Sequence, residues 1–216
     1  MAAGTEPDGR ILTAAVRGIA RRGVVLSSMD VYQAYGRIHG TEPGPPQPTP
    51  LAEDSTLRSV WYPYRSESDG EQDWLYHYEK ILVERAVMND ASVPSTVLRL
   101  PMAYGPGDYQ HRLFSYLKRM VVDDRPMIIL DRPGSEWRAS RADVANVAHA
   151  VVLAVDKRAG GHIFNISESE YLEAEWVQQI ADAIGYEGRL VIVPPIIRWP
   201  ADFRIGPSTL RPFEHN

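Results

Sequence analysis

Along the chain, stretches whose apolar residues fall three or four apart alternate with short continuous apolar runs. Ile11, Leu12, Ala15, Val16 and Ile19 have the helical spacing, with Arg21 and Arg22 in an expected last turn and Gly23 as its stop. Val24, Val25 and Leu26 then read as a short buried strand. A helix is predicted from an N-cap at Asp73 to about Met88, with Trp74, Tyr78, Ile81, Leu82 and Arg85 along one side. Leu113, Phe114, Leu117, Met120 and Val121 mark the next helix. Val144, Val147, Ala148, Val151 and Val155 mark another, capped by Asp143, and Ala174, Val177, Ile180, Ala181 and Ile184 a last one, ended by Gly185. Between them, 96–100, 127–130, 162–166 and 189–193 read as strands. Helices and strands alternating in this order argue for an α/β fold, a mostly parallel sheet covered by helices, with 24–28, 96–100 and 162–166 as central strands.

Two stretches break the rhythm. Residues 36–72 form a long irregular excursion in which Pro43, Pro45, Pro46, Pro48 and Pro50 favour extended backbone, and 66–73 is polar enough to predict a mobile surface loop. Residues 196–216 carry three prolines and no period, so no element is assigned there. Composition narrows the function classes. Among 216 residues the net charge is −5, which offers no basic footprint for nucleic acid or an anionic membrane. Cysteine is absent, which removes disulfides, thiolate metal sites and cysteine nucleophiles. The six histidines have no metal-ligand spacing, so no metal is expected. No apolar run approaches the roughly 18 residues of a membrane span, and the first ten residues do not have a signal-peptide pattern, so a cytoplasmic location is expected.

Tyr76 and Lys80 stand four apart on the helix predicted from 73, a spacing that puts them on one face. Free tyrosine has a pKa of about 10, too high for a base near neutrality. A lysine ammonium beside it favours the phenolate and brings that value down. A serine hydroxyl from a nearby strand end can then hold a substrate oxygen as charge develops on it. The chain also carries Leu26-Ser27-Ser28-Met29-Asp30-Val31-Tyr32 at the end of the first predicted strand, and Leu51-Ala52-Glu53-Asp54-Ser55-Thr56-Leu57-Arg58 ahead of the tyrosine. Leu98-Arg99-Leu100-Pro101, Tyr104-Gly105-Pro106-Gly107-Asp108, Trp137-Arg138 and Arg141-Ala142-Asp143-Val144-Ala145 follow it in order.

Taken together, these segments resemble the NAD-dependent epimerase/dehydratase family, the extended short-chain dehydrogenases. The resemblance covers roughly residues 10–193. It implies a partial doubly wound (Rossmann-like) parallel sheet with a small C-terminal substrate-binding region. Residues 1–103 would be the second half of the NAD-binding domain, with the insertion at 36–72. Residues 104–216 would bind substrate and return strand 162–166 to the sheet. It further implies Tyr76 as catalytic base, Lys80 as ribose ligand and tuner of the tyrosine, and Ser28 as partner of the substrate oxygen. Leu26, Ser27, Pro101, Met102 and Ala103 would lie along the cofactor, NAD or NADP with NAD favoured. Asp30, Tyr104, Arg112 and Arg138 become candidate substrate contacts. Surface ion pairs remain the alternative for the two arginines, and a local turn or cap for Asp30.

The family's Gly-x-x-Gly-x-x-Gly does not occur in the sequence: Gly4, Gly9, Gly18 and Gly23 have other spacings. The position of the family's histidine is held by Ser140. Three expectations follow: a hydride-transferring enzyme acting on a hydroxyl or keto carbon of a nucleotide sugar or related small molecule; an N-terminally truncated or split product of such an enzyme; or a non-catalytic binding or assembly module. Partners are expected to be a small-molecule substrate and either further copies of the chain or a missing N-terminal segment, because strand 24–28 would be a bare sheet edge.

Overall fold

The computed structural model describes residues 3–157, 160–168 and 170–195. The strands are β1 (Gly23–Ser28), β2 (Ser95–Leu100), β3 (Met102–Tyr104), β4 (Met127–Asp131), β5 (Arg138–Ala139), β6 (Arg141–Asp143), β7 (Ile163–Asn165), β8 (Tyr171–Leu172) and β9 (Arg189–Val193). The helices are α1 (Glu6–Val16), α2 (Gln33–Ile38), α3 (Lys80–Met88), α4 (Phe114–Leu117), α5 (Arg132–Ser135), α6 (Val144–Asp156) and α7 (Glu173–Ile184). They divide between two compact units, one of Met1–Pro101 with Ala145–Ser167, the other of Met102–Val144 with Glu168–Asn216. The unassigned stretch 196–216 lies outside the described residues.

The first unit is built on a parallel sheet of order β1-β2-β7. Its register sets Val25 beside Val97 and Ser27 beside Arg99. Because side chains alternate across a strand, those four share one face. Val25 and Val97 pack there with Ala3, Val83 and Val87, against Leu12 and Met88. Two residues further along, Ser27 and Arg99 meet Glu84 of α3. The Glu84 carboxylate takes Arg99 Nη2 at 2.7 Å and Nε at 3.0 Å, and the Ser27 hydroxyl at 2.5 Å. This buried pair fixes α3 on the sheet, and so fixes Lys80, one turn before Glu84.

Two sequence expectations change here. The first helix does not run to Gly23. It ends at Val16, after which Arg17 is extended and Gly18 takes φ 77°, a left-handed value that glycine adopts without a Cβ clash. Nor does one helix run from 73 to 88. Residues Trp74–His77 form a 3₁₀ turn capped by Asp73, and α3 begins only at Lys80. The cause is Glu79, which sits with extended angles of φ −157° and ψ 96°. Its carboxylate takes Arg58 Nη2 at 3.0 Å, the Tyr62 amide at 2.7 Å and the Ile81 amide at 2.9 Å. Both side chains of the Arg58–Glu79 pair are 0 % exposed.

That pair also anchors the long excursion. Val31, Tyr32 and Ile81 form a small core with Leu51 and Leu57, and the backbone of Arg58 donates to Val31 O at 2.8 Å. The end of α2 and a 3₁₀ turn at Arg65–Glu67 fall within the excursion, where the sequence suggested only loop.

In the second unit, β4 and β9 are parallel, as are β3 and β6, while β5 and β8 are antiparallel. Tyr116, Met120, Ile128, Leu130, Trp176, Val177, Ile180 and Ala181 form its core. Helix α7 ends as expected at Gly185, in the left-handed region at φ 65°. Among the described residues, no helix is long and apolar enough to cross a membrane.

Candidate active site

In the first unit the predicted site residues gather at the C-terminal end of β1, with one exception. Ser28 ends the strand, and its hydroxyl caps the short turn that follows by accepting from the Asp30 amide at 3.2 Å. That turn drives Asp30 inward, to 5 % exposure. Its Oδ2 accepts from Tyr78 Oη at 2.9 Å and from Tyr64 Oη at 3.0 Å, while Oδ1 is buried with no hydrogen-bond partner among the described residues. Burial pushes the Asp30 carboxyl above the ordinary carboxylate range, against the opposing pull of Tyr78 and Arg58. The cap reading of Asp30 therefore holds for its amide, while its carboxylate faces two phenols, the buried Tyr78 and the half-buried Tyr64.

Lys80 is buried as well. Its Nζ donates to Ala3 O at 2.5 Å and to Leu26 O at 3.2 Å. Desolvation lowers its pKa, partly offset by Asp30, Glu84 and Asp8. Nζ stands 5.7 Å from the centre of the Tyr78 ring.

Tyr76 is the exception. Its ring lies under the Arg65 guanidinium at 4.4 Å and against His77, centroid to centroid, at 5.1 Å. Among the described residues it makes no hydrogen bond to Ser28 or Lys80. The reason is local geometry. The expected shared face needs four residues of continuous helix, and the chain between Tyr76 and Lys80 is a 3₁₀ turn followed by extended Tyr78 and Glu79. Extended backbone aligns residues two apart, so it is Tyr78 that shares a side with Lys80. Ser28 acts on both Tyr78 and Asp30, favouring their charged forms against the larger effect of burial. Burial and the Asp30 charge raise Tyr78 and Tyr64 well above ordinary phenols. Tyr35, beside Tyr64, is pushed to about 12 by burial.

Of the remaining residues expected along a cofactor, Leu26 contributes its carbonyl to Lys80, and the hydroxyl of Ser27 is committed to Glu84. Pro101, Met102 and Ala103 are half-buried. In the second unit, Arg112 Nη1 donates to Ala103 O at 2.8 Å and to Asp108 Oδ1 at 2.6 Å, a tie within its own loop. Tyr104 Oη donates to Glu168 at 3.2 Å. Arg138 is exposed and makes no ion pair among the described residues. Tyr64, Tyr78 and the Arg58–Glu79 pair were not singled out from the sequence. Tyr78 could have been, had the segment been read as extended; nothing local marks Tyr64. Among the described residues no group of three His, Asp or Glu could hold a metal ion.

A model of the NAD dependent epimerase/dehydratase family matches residues 9–167. No curated protein matches the chain. Solved structures share the fold. RMD from Pseudomonas aeruginosa, complexed with NADPH, is 16% identical with a TM-score of 0.58 over 88% of this chain and 59% of its own. A short-chain dehydrogenase/reductase superfamily protein from Agrobacterium tumefaciens, with bound NAD, is 19% identical with a TM-score of 0.58 over 88% and 61%. The dTDP-glucose 4,6-dehydratase of Bacillus anthracis, in complex with NAD, is 17% identical with a TM-score of 0.58 over 88% and 54%. The chain thus spans less than two thirds of the length of these structures.

Proposed function

Because the chain belongs to the NAD-dependent epimerase/dehydratase family, we propose that it takes part in hydride chemistry at a hydroxyl or keto carbon of a nucleotide sugar or related small molecule, in the cytoplasm, with NAD or NADP as cofactor. One observation carries this reading: Ser28, Lys80 and a tyrosine-bearing segment converge at the C-terminal end of β1, where open α/β sheets bind ligands. Ser28 holds the substrate oxygen, Lys80 binds the nicotinamide ribose, and on the motif Tyr76 is the base. Tyr104, Arg112 and Arg138 in the second unit are proposed substrate contacts, Arg138 being suited to a diphosphate. NAD-bound and nucleotide-sugar-bound structures such as MoeE5 with UDP-glucose support the substrate class.

The described residues fit one end of such a cofactor. Two of the three Lys80 N–H donors go to Ala3 and Leu26 carbonyls, leaving one for a ribose hydroxyl. They do not fit the pyrophosphate. The N-terminus of α1 is closed by Thr5 and by Asp8, whose Oδ2 takes the Gly4 and Thr5 amides at 3.2 and 3.1 Å. An anion there would have to displace a carboxylate. This misfit favours a second reading, a non-catalytic binding or assembly module that pairs with further copies of the chain. Titration with NADH, following energy transfer from tryptophan, separates the two. Saturable micromolar binding supports the enzyme; a folded chain that ignores NADH leaves the module.

A further inference from the structure

We propose that the proline-rich stretch of the excursion is a docking ridge for a protein partner with a groove of the SH3 kind, in which aromatic side chains receive the prolines beside an acidic rim. The ridge lies apart from the residues given to hydride chemistry, and it stands under either reading of the site.

In Pro45-Pro46-Gln47-Pro48 the proline rings fix φ, and Pro45 and Gln47 are held extended because each precedes a proline. This is polyproline II backbone, with three residues per turn, so Pro45 and Pro48 share one edge about 9 Å apart. Another edge is turned onto the protein. Gln47 is half-buried; its Oε1 accepts from the Ala34 amide at 2.6 Å and its Nε2 donates to Thr56 O at 3.4 Å. Upstream, the buried Glu42 carboxylate takes the Ser59 and Val60 amides. Arg37 donates from Nε to Pro43 O at 3.2 Å and from Nη1 to Pro45 O at 2.7 Å. Gly44, at φ 109°, lets the guanidinium close on the backbone, since a Cβ there would stand 3.1 Å from Nη2. Tied down by Arg37, Glu42 and Gln47, the stretch turns its rings to solvent: Pro43, Pro45, Pro46, Pro48 and Pro50 are all exposed.

Two features define what fits it. Of the four ridge residues only Gln47 carries a backbone N–H, and the Pro46 and Pro48 carbonyls accept no hydrogen bond among the described residues. The ridge therefore offers ring faces and acceptors, which tyrosine and tryptophan match with an apolar body and a donor at the tip. Arg37 is half-exposed and makes no ion pair among the described residues, so a positive charge stands beside the prolines. An acidic side chain at the rim of the groove complements it. The ridge is ordered before it binds, so association does not have to order it.

The test titrates the full chain into a panel of purified SH3 domains, following the fluorescence of the groove tryptophan, beside a synthetic peptide of residues 41–50. Each variant is checked for a native circular dichroism spectrum. The full chain should bind saturably and about tenfold more tightly than the peptide, which must be ordered on binding. Pro45→Ala with Pro48→Ala should weaken binding at least about tenfold, as loss of central anchors does. Gln47→Ala, which frees the inner edge, should bring the chain down towards the affinity of the peptide. Arg37→Gln should weaken binding and remove its salt dependence. A full chain that binds no domain of the panel overturns the proposal, as does binding that survives the double proline substitution. A peptide that binds where the folded chain does not means that the ridge is hidden, and overturns it equally.

Discussion

Asp30 concentrates the residue-scale physics of this chain. A carboxylate at 5 % exposure, with one oxygen shared by two phenols and the other without a partner among the described residues, is costly to ionise. Its pKa is raised in the folded state, so the folded protein holds that proton more tightly than the unfolded chain does. The associated stability is fully present below the unfolded carboxylate value and is lost as pH rises through the folded one. Asp30→Asn keeps an acceptor for Tyr64 and Tyr78 without the charge. Relative to the parent it is expected to gain stability as pH rises, by about 1.4 kcal/mol for each pH unit between the two pKa values, and to show no gain near pH 4. Urea unfolding at pH 4 and pH 8 checks this; a loss of stability at pH 8 would sink it. The sequence pointed to Ser28, Asp30 and Lys80 because strand-end and lysine motifs are local. It could not show that the Ser27 hydroxyl is spent on Glu84, a contact across 57 positions of chain.

At the scale of elements, tertiary contacts overrode a good local pattern. Trp74, Tyr78, Ile81 and Leu82 have helical spacing, yet the helix opens only at Lys80 because Arg58, from the excursion, holds Glu79 in an extended conformation. No reading of residues 73–88 alone contains that information. The strands β1, β2, β4 and β9 were legible almost to the residue, since short buried runs bounded by turn residues have few alternatives. The bridging strands β3, β5, β6 and β8 are two or three residues long, too short to carry a period. Two substitutions probe the element boundaries. Arg58→Met leaves Glu79 buried and uncompensated, and should cost about 3–5 kcal/mol, with faster proteolysis within 36–72. The double variant Arg58→Met, Glu79→Met should recover most of that loss in a urea titration, and a double variant no better than the single one would deny that the charge is the cause. Gly185→Ala forces a Cβ into φ 65° and should cost about 1 kcal/mol, read as a lowered Tm.

For the molecule as a whole, the decisive feature is the edge of its main sheet. Among the described residues β1 pairs only with β2, so no strand covers the other side of this six-residue strand, although the Leu26 carbonyl is taken by Lys80 Nζ. Such an edge is a template for another strand unless charge, proline or a bulge blunts it. The sequence of β1, Gly-Val-Val-Leu-Ser-Ser, contains none of the charged or proline residues that would do so. Apolar side chains stay exposed elsewhere in this unit: Val152, Leu153 and Val155 of α6 are 54%, 43% and 55% exposed, and Phe164 of β7 39%. Together these predict that the chain self-associates at micromolar concentration, with a mass by light scattering above that of one copy. Val24→Lys, on the half-exposed side of β1, should shift the distribution towards one copy by placing a charge at the edge while leaving Val25 and its core untouched. A parent chain that is already monomeric and unfolds cooperatively would mean that the edge is protected by means other than pairing, and the assembly reading would lose its physical motive.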